Sequence, residues 1–440
     1  MVATLSKLID LMRHNGTQRI YAKKLAPNDN SKNQVYLGGG FGALNIIPHG
    51  EIITDDRPVA GAKRERPKAK VDFWWIDDGG MYNAPDAQLI LYPDYPEVRM
   101  SGFLKGCRAA PSQIMTVRDE GRVLFFGVMP NGRVIGYATT PDDPITLEFN
   151  AHQWDMIGVF AELPLSLAQP VSTKSLLLAE LKRVHELGWI MSQKLSRHGV
   201  KERYAAMNGG GYTLEAELGI TPNGIAEPDF HGWEVKQYGV RDFVRHLPKT
   251  PVTLMTPEPT GGIYREDGVA TFLARFGYAD KKGRVDRRNF GGIYAIGRDF
   301  HPDTGVKLIM SGFDAQSGKM TDVDGGMMLV DRNELIAASW SFKGMMAHWN
   351  RKHAQAAYVP SLTRTPPPEY SYGSQVLMCE QTDFILFLKA FAAGAIYYDP
   401  AIKIENASTA RPAIKRRSQF RVNHARLTDI YHSSEVVMVG

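Results

Sequence analysis

The sequence predicts a β-rich N-terminal domain over residues 1–165, then an α/β (α+β) domain over residues 172–440 built on a mixed central sheet. Three observations carry this. From residue 17 to about 165, aromatic and β-branched clusters alternate with Gly, Pro, Asn and Asp, as in VDFWWIDDGG, QLILYPDYPEVRMSGFLKG and RVLFFGVMPNGRVIGYATTPDDPITLEF. That is the pattern of short strands joined by turns. After Pro164–Thr173, which reads as a linker, the period changes: Leu177, Leu181, Val184, Leu187 and Met191 recur at helical spacing. From there, helical and strand-like segments alternate to the C-terminus, as a domain layering helices on a sheet requires.

Taken in order, MVATLSKLIDLMRHNG reads as an amphipathic helix with Leu5, Leu8, Ile9 and Met12 on one face and Asn15-Gly16 closing it. It lacks the apolar core and cleavage site of a signal peptide. Gly38-Gly39-Gly40-Phe41-Gly42 has neither the lysine of a P-loop nor Rossmann spacing, so it reads as a tight turn. Lys63, Arg64, Arg66, Lys68 and Lys70 crowd the approach to VDFWW, as a solvated loop or one that contacts phosphates; Arg99, Lys105 and Arg108 would extend that basic surface. Pro130-Asn131-Gly132 is a hairpin signal. The domain holds no recognisable catalytic set, so it reads as a DNA-reading or effector-sensing module or as a purely structural one. The helix after the linker starts at a Ser172 or Thr173 cap and runs toward Gly199, with His185 and His198 facing solvent.

The informative stretch is NGGGYTLEAELGITPNGIAEPDFHGWEVKQY, from Asn208 to Tyr238. Glu234 and Lys236 are two apart, so on a strand they share a face while Val235 points into the core. Gly232 permits a bend or short hairpin that brings Asp229 beside Glu234. Glu215 sits in a helix that enters a turn at Gly219. Adjacent carboxylates repel when both are ionised. A divalent cation relieves that repulsion, and hard carboxylate oxygens suit Mg²⁺. The metal lowers the pKa of a bound water and holds a phosphate oxygen, while a lysine on the same face orients the water and offsets charge on phosphorus. A bare E-x-K means nothing by itself; Asp followed by Glu-x-Lys with a preceding glutamate is a phosphodiester-cleaving layout.

Pro228-Asp229 followed by Glu234-Val235-Lys236 matches the PD-(D/E)xK nuclease signature. With GGGYTLEAELGI, N-G-I-x-x-PD and GWEVK around it, the segment from about Leu176 to the C-terminus resembles the MvaI/BcnI restriction endonuclease family, related in fold to the nicking endonuclease MutH. The resemblance implies a restriction-endonuclease-like nuclease domain that includes its own DNA-recognition elements. It implies Mg²⁺-dependent, sequence-specific cleavage of double-stranded DNA, with Mn²⁺ able to substitute. Asp229 and Glu234 would hold the metal with the Val235 carbonyl, Lys236 would position or activate water, and Glu215 would support Lys236 or a second metal. It further implies a monomer with one active site, and a companion DNA methyltransferase in the same system. A MutH-like repair nickase, and a DNA-sensing defence module with a vestigial nuclease site, are the competing readings.

Beyond the motif, TPVTLMTPEP reads as a strand, which in the resembling family sits beside the metal strand. GGIYREDGVATFLARFGYAD carries a helix, and KLIMSGF and GGMMLVD are hairpin arms with Asp322 and Asp324 at their turn. SWSFKGMMAHWNRKHAQAAYVPS carries another helix, in which Trp349, Arg351, Lys352 and His353 form an aromatic and basic group. TRTPPPEYSYG reads as a proline-rich loop, and EQTDFILFLKAFAAGAIYYDP as a helix and a strand. In the final basic run, Lys415, Arg416, Arg417, Arg421 and Arg426 are interleaved with Phe420, Val422 and Leu427, which argues for an ordered element facing DNA rather than a tail.

Composition sets the outer limits. A net charge of +5 over 440 residues makes any nucleic-acid surface a matter of local clustering. The cysteines Cys107 and Cys379 form no CxxC pair, which points to a reducing cytoplasm. No apolar run is long enough to span a bilayer. No His/Cys set has zinc spacing, and no nucleophile elbow marks a serine hydrolase.

Overall fold

The computed structural model describes residues 2–27, 34–54, 66–93, 95–167, 172–206, 208–221 and 229–440, with backbone alone at 350–352. Lys63, Arg64 and Pro228 therefore lie outside the described residues. By contact the chain divides into two units: Met1–His246 with Asn350–Gln381 and Ser433–Gly440, and Leu247–Trp349 with Thr382–His432.

Two hydrophobic cores stand out among the described residues of the first unit. The N-terminal core gathers Leu5, Leu8, Ile9 and Met12 of the helix Leu5–His14 with Ile20, Phe125, Ile135, Phe149 and Leu163. Thr4 caps that helix by accepting from the Lys7 N–H. The seven-stranded sheet contributes to this core, and a five-stranded sheet follows from other strands of the same region. Val123–Val128 and Val134–Thr139 pair antiparallel across the Pro130–Gly132 turn, where Gly132 takes φ +81°. The strand Gln34–Gly39 ends at Gly40, at φ +68°, the turn expected of the glycine run.

Two expectations change here. TTPDDPITLEF does not continue as strand: Pro144–Ala151 is a helix whose N-cap, Asp143, accepts from the Ile145 N–H with Pro144 behind it. An aspartate followed by proline is a helix start, a signal outweighed by the strands before it. The basic stretch is partly strand, because Lys68–Lys70 pairs with Ile52–Ile53 on one side and Gln88–Tyr92 on the other.

The second core joins Leu177, Leu181 and Val184 to Leu214, Trp233, Val235, Tyr370, Tyr372 and Met378. Helix Thr173–Glu186 is capped by Ser172, but it stops well before Gly199: Gly188 adopts φ +67° and Met191 lies in a short strand. His198 is exposed, whereas His185 is half-buried with Nδ1 at 2.7 Å from the Tyr372 carbonyl oxygen. The central sheet is mixed. Ile190–Met191, Glu369–Tyr372, Gln355–Arg364, Gln375–Glu380 and Ser433–Met438 run in that order, and Glu234–Gly239 pairs in parallel with Gln355–Arg364. TRTPPPEYSYG is thus no loop but the turn and return arm of a hairpin, with Tyr370 and Tyr372 buried.

In the second unit, Val252–Met255 is a strand, but it pairs with Phe420–Val422 in a separate three-stranded sheet and not with Glu234–Gly239. An apolar run shows only that a strand is buried, not which neighbour buries it. Lys307–Ser311 and Gly326–Val330 form the expected hairpin, and the Asp322 carboxylate accepts from the Asp324 N–H in a simple turn. Trp349 is fully buried against Phe387, with rings 4.8 Å apart, and so belongs to the core of its unit; His353 is buried as well. Among the described residues no helix is long and apolar enough to cross a membrane.

Candidate active site and a basic groove

Glu215 lies on helix Gly209–Glu217, which packs tightly against the Glu234–Gly239 strand. A Cβ on Gly210 would come within 2.8 Å of the Gln237 side chain, so the glycines permit the approach. The helix ends in a Schellman turn: Ile220 N–H donates to the Glu215 carbonyl and Gly219, at φ +75°, donates to that of Ala216. The half-buried Glu215 side chain is thereby fixed one turn from the helix end.

Asp229 and Glu234 flank a two-residue hairpin. Phe230 and Trp233 exchange backbone hydrogen bonds of 2.9 and 2.8 Å, and His231 and Gly232 between them adopt φ +45° and +94°. Positive φ at both central positions is the type I′ requirement, and it explains Gly232. Trp233, 1% exposed, anchors the turn in the core. Beyond it, Val235 faces the core, and Lys236 Nζ stands 2.8 Å from Glu234 Oε1 on the shared face. Asp229 Oδ2 accepts from the Val235 N–H at 3.1 Å, which aims its carboxylate at the start of the strand.

The electrostatics bind the set together. Burial opposes the Lys236 charge, yet Glu234, Asp229 and Glu215 hold its ammonium above the ordinary lysine value. A place where carboxylates outweigh the partial desolvation of a half-buried ammonium favours cations, and its hard oxygens fit a divalent ion. Among the described residues no three His, Cys, Asp or Glu side chains form a metal-binding group. The ligand set expected here has two carboxylates and one carbonyl.

Residues 178–431 match the model of the MvaI/BcnI restriction endonuclease family. The chain belongs to the MvaI/BcnI restriction endonuclease family. It is a type II site-specific deoxyribonuclease, a sequence-specific endonuclease of a family that generally uses divalent metal ions. Similar solved structures include the restriction endonuclease MvaI in complex with its cognate DNA substrate (17% identity, 62% of this chain and 100% of that one, TM-score 0.45). MvaI in the absence of DNA is another (18% identity, 61% and 99%, TM-score 0.34). No curated protein matches the chain.

Of the basic residues expected to meet DNA, Lys415, Arg416 and Arg417 are exposed and line a groove of about 710 Å³ in the second unit. Lys281, Lys282, Arg284, Arg287 and Lys403 line it too, against Asp280 as the one acidic residue in its wall. The sequence alone did not single out this set, although KKGRVDRR is visibly basic. Lys403 and Lys415 stand directly opposite each other on paired strands, and Glu405, 2.8 Å from Lys403 Nζ, offsets the like charges. Arg421 departs from the expectation. Its guanidinium is taken up internally, with Nη1 2.7 Å from Asp399 and Nη2 donating to the Pro251 carbonyl. Arg426 is exposed but paired with Asp429. In the N-terminal domain, Arg66 lies over the Tyr92 ring at 4.1 Å.

Proposed function

We propose that this MvaI/BcnI-family enzyme is a Mg²⁺-dependent endonuclease, with Mn²⁺ able to substitute, whose catalytic set is Glu215, Asp229, Glu234 and Lys236. The observation that carries it is one turn and one strand that hold Asp229 Oδ2 3.1 Å from the Val235 N–H and Glu234 Oε1 2.8 Å from the Lys236 ammonium. Asp229, Glu234 and the Val235 carbonyl would hold the ion. When bound, it supplies Lewis acidity, lowering the pKa of water and neutralising the phosphate. Lys236, kept charged by its neighbours, orients the attacking water and meets charge developing on phosphorus. Glu215 sustains that charge on Lys236. Asp229, tied to the Val235 N–H, keeps the hairpin in register with the strand.

The exposed cations of the basic groove are proposed to contact phosphates, with Lys415, Arg416 and Arg417 at their centre and Lys63, Arg64 and Arg66 as a second set. Residues 1–165 would act as a DNA-reading or effector module ahead of a nuclease domain over 172–440. The enzyme would act in the cytoplasm as a monomer, nicking one strand before the other, beside a methyltransferase that protects host DNA. Mapping cut ends on long unmodified DNA tests this. Discrete ends at one recurring sequence, formed with Mg²⁺ and abolished by chelation, are expected; cutting that survives chelation would overturn the metal assignment.

A further inference from the structure

A cavity of about 230 Å³ in the first unit is walled by both the N-terminal sheet and the catalytic hairpin. Arg19, Glu162 and Trp154 face it from one side, Thr173, Leu176 and His231 from the other. Glu162 stands opposite Tyr21 on the neighbouring strand, and Arg19 is two residues from Tyr21, so both charges share one face of the sheet. They act on each other, yet no ion pair closes between them among the described residues. The Arg19 guanidinium reaches Tyr21 Oη through a long hydrogen bond of 3.5 Å. A five-donor fork and a carboxylate thus face one small space without meeting. Trp154 is a rigid wall, stacked on Phe149 with rings 5.6 Å apart and its Nε1 donating to the Phe149 carbonyl.

This space reaches the catalytic hairpin at two points. A Cβ on Gly232 would sit 3.1 Å from Arg19 Nη1 and 3.2 Å from its Cδ, so the arginine lies against the turn. Thr173, which lines the cavity with Glu162, accepts from Trp233 Nε1 at 3.3 Å. His231, Gly232 and Trp233 are the link between Asp229 and Glu234.

We propose that this cavity is a control site that takes one guanine base and passes its occupancy through Arg19 and Thr173 to the hairpin carrying Asp229 and Glu234. The inference rests on the catalytic reading given above. The volume lies below the ~300–1,000 Å³ of ordinary ligand pockets, which suits a single base and not a nucleotide chain. Guanine presents the complementary edges: O6 and N7 accept from arginine, and its N1–H and N2–H₂ donate to a carboxylate. The apolar wall of Trp154 and Leu176 receives the ring. The base has two sources, a free nucleoside or a base turned out of duplex DNA.

Calorimetric titration of the full chain with guanosine and adenosine tests the first source. A duplex carrying a fluorescent guanine analogue, which brightens when unstacked, tests the second. One of the two should bind at one site per chain. Glu162→Gln should weaken guanine binding about tenfold or more, the worth of a hydrogen bond to a charged group. Leu176→Trp, which fills the cavity, should abolish binding and, where the free nucleoside is the ligand, leave cleavage without guanosine unchanged. Guanosine or the extruded base should alter the cleavage rate of the wild type and not that of Leu176→Trp. Absence of both guanosine binding and base extrusion overturns the site, and binding with no change in cleavage rate overturns the control. Guanosine binding is also measured in Asp229→Ala: a variant that binds guanosine but still cleaves would sink the catalytic reading and leave the cavity standing.

Discussion

The two candidate functional regions are built in opposite ways. The acidic site is compact and local: Asp229, Glu234 and Lys236 are set by one hairpin turn and one strand, with Glu234 4% exposed. The basic groove is open and dispersed, drawing Lys281, Lys282, Arg284, Arg287, Lys403 and Lys415–Arg417 from turns and strands far apart in sequence. The difference follows from what each must do. Metal and water chemistry needs a few atoms held within fractions of an ångström, which a tight turn on a buried strand supplies. A phosphate backbone needs many positive charges spread along a surface, each contributing modestly. Substitutions should therefore act all-or-none in the first region and by increments in the second.

The largest effect is expected at Asp229. Asp229→Ala should reduce single-turnover cleavage about 10³-fold or more while duplex affinity, measured with metal chelated, stays near that of the wild type. Asp229→Asn sharpens the test, because its amide oxygen can still accept from the Val235 N–H but carries no charge. If Asn restored most of the activity, Asp229 would be a hairpin strut and not a metal ligand.

Next comes the groove. Replacing Lys415, Arg416 and Arg417 together by Ala should weaken binding to any duplex about 10–100-fold near physiological salt. The dependence of log affinity on log salt should become shallower by about 0.9 for each phosphate no longer neutralised. An unchanged slope would mean that the groove binds something other than DNA phosphates.

How far the sequence could be read follows the same division. The strand Glu234–Gly239, the Asp229–Glu234 hairpin and the helix ending at Gly219 were legible because each is decided within a few residues, by alternation, by Gly232 and by a glycine cap. The groove was half legible. Lys415–Arg417 stood out as a run, but only strand pairing sets Lys403 opposite Lys415. Arg421 looked like its neighbours, and nothing local showed that Asp399 and the Pro251 carbonyl claim its guanidinium. The partner of Val252–Met255 was missed for the same reason: pairing depends on the whole sheet, and an apolar strand fits several neighbours.

Arg421 offers a control inside the basic run. Its side chain is 17% exposed and that of Asp399 is 28% exposed, so the pair is largely shielded. Arg421→Ala should destabilise the protein by about 2 kcal/mol, the scale for hydrogen bonds to charged groups. It should leave the salt slope of DNA binding where it was. Denaturant unfolding and a salt titration of the same variant separate the two effects; a shallower slope with unchanged stability would return Arg421 to the DNA-contacting set.

The smallest effect compares two carboxylates of the first unit. Glu234 has an ammonium 2.8 Å away, whereas Glu162 faces Arg19 without an ion pair. Burial pushes the Glu162 carboxyl up to about 7, with Asp155 and Glu380 adding to the rise and Arg19 and the Thr173 hydrogen bond opposing it. The sign follows from proton uptake. Between the usual value of 4.5 and about 7, the folded protein holds a proton that the unfolded chain has released. Stability therefore falls as pH rises through that window and gains nothing further above it. Glu162→Gln removes the charge and keeps the shape, so the variant should melt about 1–3 °C above the wild type at pH 8, a shift suited to a chain of this size. The gap should close as the pH is lowered below 4.5, where the carboxyl is protonated in the folded and the unfolded chain alike. A gap of equal size at both ends of the window would show that packing, and not the buried charge, separates the two proteins, and would remove the contrast with Glu234.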